Sequence, residues 1–555
     1  MADRPDRDAP PNVTDLDAER ASFHIDAPER FNYVRDVLGA QASRRPDAEA
    51  LISLDATGRV TTRHTFRDLA VTAEKAANVL RGLGIGKGDP VFVMLPRIPE
   101  WYEVLLGAMR LGAIPMPGTT QLRTRDIAYR IERSDAVAAV TDGDGTGQVD
   151  GVENLDWWVR HRLVVGGPGG NGWLSWDDLF SSAAEHCPVE DPTAAADPLL
   201  VYFTSGTTAY PKMVMHSQAS YGLGHIITAR YWHDLRPGDV HWTISDTGWA
   251  KAAWGKLFGQ WHEGATVVQM NMGKPSAETI LQVVQDLGVT SFCAPPTLYR
   301  MLVLADIGAF DLSRLRHCTS AGEPLNPEVI RLWEAGTGGL PIYEGYGQTE
   351  TTNLVATYRS MPVKPGSMGR PAPGYDVDIV DDDGAPVGVG VEANIAVRVR
   401  PERPLGLFRE YWKDPEATAA SEVGDWYITG DRGRKDHDGY LWFEGRADDV
   451  ITSAAYRIGP FEVESALIEH PAVAEAAVVG RDDPQRTQIV VAFVTLAPGY
   501  EPGDDLAAEI QEHVKQTTAP YKYPRQIFFV EEFPKTVSGK IRRTELRGWL
   551  REGRY

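Results

Sequence analysis

From Phe31 to about Met368 the chain alternates between two textures. Short β-rich runs (Val91–Leu95, Ala136–Val140, Ala265–Gln269, Ser291–Ala294, His317–Ser320) are interspersed with helix-like runs such as Thr72–Leu83 and Glu100–Leu111. Parallel strands need a crossover between them, and a helix supplies it. The alternation therefore predicts an α/β fold, with helices layered on a largely parallel sheet. After Met368 the pattern changes to short strands with tight polar turns: Tyr375–Val380, DDDG, Asn394–Val399 and GDWYITGD, a β-rich segment. After DDVI it changes again. Helix Phe461–Glu469, strands Val473–Val479 and Ile489–Leu496, helix Leu506–Lys515 and strand Gln526–Val530 make a compact α+β unit. The expected organisation is a loose, charged and Pro-rich arm over 1–28, a large domain over 29–447 and a small domain over 448–555.

Bulk properties narrow the function. A net charge of −21 and a pI near 5.1 argue against a general nucleic-acid binder, which needs clustered positive charge. No run approaches the ~18 apolar residues of a membrane span. Residues 1–20 have no apolar core of the kind a signal peptide carries. The three cysteines, Cys187, Cys293 and Cys318, fit neither a disulfide framework nor a zinc site. A reducing cytoplasm is the expected compartment.

Four separated motifs carry the chemistry. TSGTTAYPK, residues 204–212, follows an apolar strand with a hydroxyl-rich turn and a lysine. Such a turn offers backbone N–H groups, hydroxyls and an ammonium to one anion, without matching the P-loop pattern G-x-x-x-x-G-K-[ST]. YEGYGQTET occupies 343–351. YITGD ends at Asp431 and is followed by GRADD at 445–449. PKTVSGKIRR places Lys540 on a glycine turn. Each alone reads as a turn, a strand-end loop or a hairpin tip. Together, in this order, they are hard to reach by accident.

With LPRIPEWYEVLLGAMRLGAIPMPGTTQL, WTISDTGWAKAAWGK, GRADDVITSAAYRIGPFEVESALIEHPAV and APYKYPR, the chain resembles the adenylate-forming enzymes, and medium-chain acyl-CoA synthetases most closely. The resemblance runs from about Phe31 to Arg543. It implies that a hydrophobic carboxylic acid attacks the α-phosphorus of ATP, giving an acyl-adenylate and pyrophosphate, and that the acyl group then passes to coenzyme A. By that resemblance Thr204, Ser205, Gly206, Thr207, Thr208 and Lys212 hold the β- and γ-phosphates. Glu350 holds Mg²⁺, and Thr349 reaches the α-phosphate. Gly322, Glu323 and Pro324, with Glu344 and Tyr346, line the adenine slot, and Asp431 and Arg446 bind the ribose hydroxyls. Trp249, with Trp242 nearby, Ala321, Gly345 and Gly347 face the acid. Lys540 bridges the carboxylate and the α-phosphate.

The same resemblance implies a small domain that swings about Asp448 after adenylation. The swing withdraws Lys540 and brings in the face carrying Ala455, Tyr456 and Arg457, while the basic tail with Lys522 and Arg525 meets a CoA phosphate. Two positions depart from the family pattern. Ala455 stands where the family has glycine beside the pantetheine arm, and Ala209 replaces a glycine of the phosphate loop. A methyl at either position narrows or strains a glycine turn. Two outcomes therefore stay open: a full acyl-CoA synthetase, or an adenylation enzyme that hands its product to a partner ligase or acyl carrier protein in natural-product biosynthesis. A non-catalytic nucleotide-binding scaffold should have lost Lys212, Glu350 or Lys540, and all three are present. A homodimer is compatible with the sequence; nucleic acid and membrane are not expected partners.

Overall fold

A computed structural model describes residues 9–204, 211–273, 276–323, 325–447, 449–453, 456–483, 486–518, 522–535 and 540–555. The parallel sheet expected from the alternation is present twice. In the larger sheet, strands 342–346, 317–321, 291–294, 240–243, 266–270 and 49–54 lie side by side, each parallel to its neighbour. Helices Ala277–Leu287, Pro296–Leu302 and Pro327–Thr337 connect successive strands. Local chemistry sets their ends. The Ser276 hydroxyl accepts the Thr279 N–H, and Gly288 at φ +56° closes the first of them. Asn326 caps the last, which ends on Gly338 at φ +70°, a left-handed position that glycine fills without Cβ strain. Ile280, Leu281 and Val284 pack on Val268 and Phe292, so the helix buries one stripe against the sheet.

A second parallel sheet holds strands 114–117, 90–94, 138–142, 161–165 and 173–175 in that order. Helices Phe66–Gly82 and Pro99–Leu111 cross closely beside it. A Cβ added at Gly107 would lie 2.6 Å from the Ala76 methyl. The β-rich segment extends the larger sheet with antiparallel strands, among them 367–371, 393–398, 426–435 and 441–446.

The large sheet's last strand ends at Arg446, and the first strand of the C-terminal sheet begins at Ile451. In strand 473–483, Ala476 and Val478 face helices 460–468 and 504–517, while Ala477 and Val479 face helix 543–551. That is the period of two that a sheet covered on both faces requires.

The arm is a correction. From residue 9 onward it is docked rather than loose. Val13 and Leu16 are buried, Asn12 hydrogen-bonds Asp234 and the Leu235 carbonyl, and Asp17 pairs with Arg370. Two apolar side chains in a polar stretch suffice to seat it, a signal that its overall composition hides. Among the described residues no helix is long and apolar enough to cross a membrane.

Candidate active site

The strand before the phosphate loop, Pro198–Phe203, pairs antiparallel with Met213–Ser217. Beyond the last pair, Thr204 and Lys212 close the loop's base: the Thr204 N–H donates to the Lys212 carbonyl at 3.0 Å, and the Lys212 N–H donates to Thr204 Oγ1 at 3.1 Å. Thr204 thus serves the loop's geometry. Ser205, Gly206, Thr207, Thr208 and Ala209 lie outside the described residues. The Lys212 ammonium sits 4.4 Å over the ring of Tyr411, and the Tyr411 hydroxyl donates to Glu350 Oε1 at 2.8 Å. One tyrosine therefore joins the loop lysine to the carboxylate expected to hold Mg²⁺. Burial raises the Glu350 carboxyl above its ordinary value; the Tyr411 hydrogen bond and the charges of Arg446 and Lys212 draw it back.

Glu350 and Thr349 are fixed through their backbones. The Thr349 carbonyl accepts from His216 Nε2 at 2.8 Å and from the Tyr221 hydroxyl at 2.7 Å, and the Glu350 carbonyl accepts the Phe408 N–H at 2.6 Å. Among the described residues no cluster of three or more His, Cys, Asp or Glu side chains forms a metal cage. A single buried carboxylate suits Mg²⁺, which keeps waters and takes substrate phosphates for most of its shell.

Asp431 faces Arg446 directly across the antiparallel pair of strands 426–435 and 441–446. The distance between YITGD and GRADD in the sequence is that register. Asp431 Oδ2 accepts from the Tyr346 hydroxyl and from Gln348 Nε2, both at 2.7 Å, and Oδ1 accepts from Arg446 Nη1 at 3.0 Å. A carboxylate offers about four lone-pair sites, so capacity remains for a ribose hydroxyl. The hydroxyl of Tyr346, a residue expected to line the adenine slot, orients Asp431. Glu344 is buried beneath the adjacent turn and accepts the Leu325 N–H at 3.0 Å; burial pushes its carboxyl up to about 8. It braces the turn from within the fold. Above it, Gly322 at φ +106° is exposed with no atom within 4 Å of a built Cβ, and Glu323 is half-buried beside Arg300. Pro324 is outside the described residues.

Lys540 reaches this site from the small domain. The carboxylates of Glu323 and Asp431 and the guanidinium of Arg446 all act on its ammonium, and crowding by protein holds it below the usual lysine value although the side chain stays solvent-accessible. Asp448 and Ala455 lie outside the described residues. Tyr456 and Arg457 are placed only by their backbone, in strand Tyr456–Ile458 paired with Ile451–Ser453.

On the acid side, Trp249 is the N-cap residue of helix Ala250–Lys256 and is half-buried. Ala321 ends strand 317–321, where its carbonyl accepts from Lys251 Nζ at 2.8 Å. Trp242 is a correction: it is buried in the sheet core against Phe292, ring centroids 5.8 Å apart. Gly345 and Gly347 serve close packing. A Cβ at Gly345 would stand 2.4 Å from the Trp232 indole, and one at Gly347 2.5 Å from that of Trp254. Sequence reasoning missed Tyr411, Gln348, His216, Tyr221 and Lys251. Gln348 lies inside the YEGYGQTET motif, whereas nothing local marks Tyr411.

A family model described as "AMP-binding enzyme" matches residues 38–412, and one described as "AMP-binding enzyme C-terminal domain" matches 462–540. The chain belongs to the AMP-binding enzyme family. Its similar relatives in that family include the mitochondrial acyl-coenzyme A synthetase ACSM3 of Mus musculus, 45% identical over 97% of this chain and 94% of that one. The mitochondrial acyl-coenzyme A synthetase ACSM5 of Homo sapiens is 46% identical over 94% and 90%. Among solved AMP-binding enzymes, the anthranilate CoA ligase AuaEII in complex with anthranoyl-AMP superposes with a TM-score of 0.87 at 30% identity, covering 95% of this chain and 98% of that one. A Brucella canis acyl-CoA synthetase does so at 0.74 and 36% identity, covering 98% and 100%.

Proposed function

We propose that the enzyme activates a hydrophobic carboxylic acid with ATP and Mg²⁺ and delivers the acyl group to coenzyme A. The chain is an ATP-dependent acid–thiol ligase of the acyl-CoA synthetase kind, as its family, its relatives and its fold agree. The observation that carries the reading is the link from Lys212 through Tyr411 to Glu350, with the charges of Glu323 and Asp431 acting on the Lys540 ammonium. A carboxylate oxygen forms a bond to the α-phosphorus as the bond to pyrophosphate breaks. Negative charge grows on both reacting groups, and a positioned ammonium stabilises that state more than the ground state. Lys212 and the loop hydroxyls would hold the departing phosphates, and Asp431 would fix the ribose. The CoA thiol then attacks the acyl carbon and AMP leaves. Ala209 and Ala455 fall outside the described residues, and no observation favours hand-over to a partner ligase or carrier protein. The three cysteines are free and buried, which fits a reducing compartment.

The test is a pyrophosphate-release screen over hydrophobic acids, with and without CoA. Acid-dependent release, with thioester and AMP formed in equal amounts once CoA is present, is expected. Release without thioester would sink the CoA half of the reading, and no release with any acid would sink both. Lys540→Ala should lower pyrophosphate exchange by roughly 100-fold or more while ATP still binds; exchange within tenfold of the parent would remove Lys540 from the chemistry.

A further inference from the structure

Strand Met213–Ser217 leaves the phosphate loop immediately after Lys212. On its other edge it pairs with the short strand Glu410–Tyr411, Val214 opposite Tyr411 and Met215 opposite Glu410. The segment leading into that short strand supports Glu350, whose carbonyl accepts the Phe408 N–H. One strand is therefore the common neighbour of the loop lysine, of the tyrosine that holds Glu350 and of the segment that braces Glu350 from behind.

His216 lies on this strand and Tyr221 on the helix that follows, Gln218–Gly222; both side chains are wholly buried. Neither belongs to any of the four motifs. Their rings stack, with centroids 3.4 Å apart and planes 20° from parallel. Both donate to one acceptor, the Thr349 carbonyl, which lies 133 and 128 residues away along the chain. A carbonyl has two lone pairs, and these two donors fill them. Because a carbonyl only accepts, His216 Nε2 carries the proton and Nδ1 faces Ser220 Oγ at 3.1 Å. Ser220 is fixed in turn by a reciprocal pair of bonds with Ser217 at the start of the helix, at 2.8 and 3.1 Å. The carbonyl they grip belongs to the peptide that joins Thr349 to Glu350. That peptide is a rigid plane containing both Cα atoms, so holding its oxygen orients both side chains at once.

We propose that His216 and Tyr221 are positioning residues for adenylation: by gripping the Thr349–Glu350 peptide from the strand that leaves the phosphate loop, they keep the α-phosphate contact and the Mg²⁺ carboxylate in register with the loop that holds the departing phosphates. The inference rests on the acid-activation reading above and deepens it. A pair that served stability alone would move the melting temperature and leave the rate and the Mg²⁺ requirement of the folded enzyme as they are.

Pyrophosphate exchange is measured on the full chain with an activated acid, against ATP and against Mg²⁺, alongside the melting temperature. His216→Met removes the donor and keeps the bulk. It should lower kcat about tenfold or more and raise the Mg²⁺ needed for half-maximal rate, with KM for ATP at saturating Mg²⁺ within about threefold of the parent. His216→Gln offers an N–H at similar reach and should restore most of the loss. Tyr221→Phe keeps the ring and should cost about threefold or more. The double variant His216→Met with Tyr221→Phe should lose more than the product of the two single losses, because only then is the carbonyl left with neither donor. Variants that melt earlier yet keep the parental kcat and Mg²⁺ requirement overturn the proposal, as does a His216→Gln no better than His216→Met, or a double variant that equals the product. If His216→Met does not fold, Tyr221→Phe decides in its place by the same two readouts. If no acid gives exchange in the parent, the activation reading fails by itself, and calorimetric binding of ATP against Mg²⁺ decides the proposal. A Mg²⁺ requirement raised in His216→Met and returned in His216→Gln supports it; one unchanged in both overturns it.

Discussion

Tyr411 shows how much of the site depends on one side chain outside any motif. Its hydroxyl holds Glu350 and its ring carries Lys212. A hydrogen bond to a charged group is worth about 1.5–3 kcal/mol. Tyr411→Phe should therefore weaken Mg²⁺ use by roughly tenfold or more and raise the Glu350 carboxyl further, since the hydroxyl now opposes the effect of burial. Only the deprotonated carboxylate binds the cation, so the acid limb of the pH profile should move to higher pH. Pyrophosphate exchange against pH and Mg²⁺ checks both; an unmoved acid limb would separate Tyr411 from Glu350. Sequence made Glu350, Asp431 and Lys540 legible because each sits in a short motif. It could not reveal that Tyr346 and Gln348 grip Asp431, because those bonds cross from one strand end to another.

Among the elements, strand 342–346 and the turn after it carry the heaviest constraint. Gly345 and Gly347 let two indoles approach the chain that presents Thr349 and Glu350. In Gly347→Ala the new methyl would also stand 2.6 Å from the Thr352 carbonyl, so the segment must move. Overpacking of this kind costs about 1–3 kcal/mol, and adenylation should fall at least tenfold as Glu350 shifts. Gly388→Ala, with no atom within 4 Å of the new methyl, is the control and should leave melting and rate unchanged. Parental activity in Gly347→Ala would show that the turn tolerates displacement. The strands themselves were legible from the strand–helix alternation, which continues through Ser291–Ala294 and His317–Ser320. The glycines were not, because a glycine in a motif reads equally as ligand contact or as packing, and only the neighbouring indoles decide between them.

Across the whole molecule, two behaviours follow. The first is acid lability. His216, His241 and His317 are buried and held down to about 3, His262 to about 4, and His225 and His233 are also lowered, all chiefly by desolvation. Their unfolded value is near 6.5, so the unfolded chain binds more protons below it. Stability is present above about 6.5 and is lost as pH falls from there. Raised carboxyls run the other way and gain stability as pH falls toward their unfolded values, Glu344 from about 8 and Glu103 from about 7, with Glu100, Asp142, Glu263, Glu350 and Glu444 also raised. Between pH 7 and pH 5.5 these six histidines, with His64 also lowered, outweigh the two carboxyls held at about 7 and about 8. The melting temperature should drop by on the order of 5 °C between pH 7 and pH 5.5; a flat or rising profile would show that these histidines are not trapped neutral. The second behaviour is domain alternation, a proposal resting on the family pattern at GRADD. Asp448→Pro fixes φ near −65° and should spare adenylation while lowering thioester formation at least tenfold; parental rates in both half-reactions would place the hinge elsewhere. The sequence by itself determined the layer architecture, the strand–helix order and the motif residues, because periodicity and turn chemistry are local. Tertiary structure alone decided the partners of those residues. It set Lys540 where the charges of Glu323 and Asp431 act on its ammonium, and it seated on two apolar side chains an arm whose composition looks disordered. Those outcomes depend on which surfaces meet, and a local pattern of residues does not encode that.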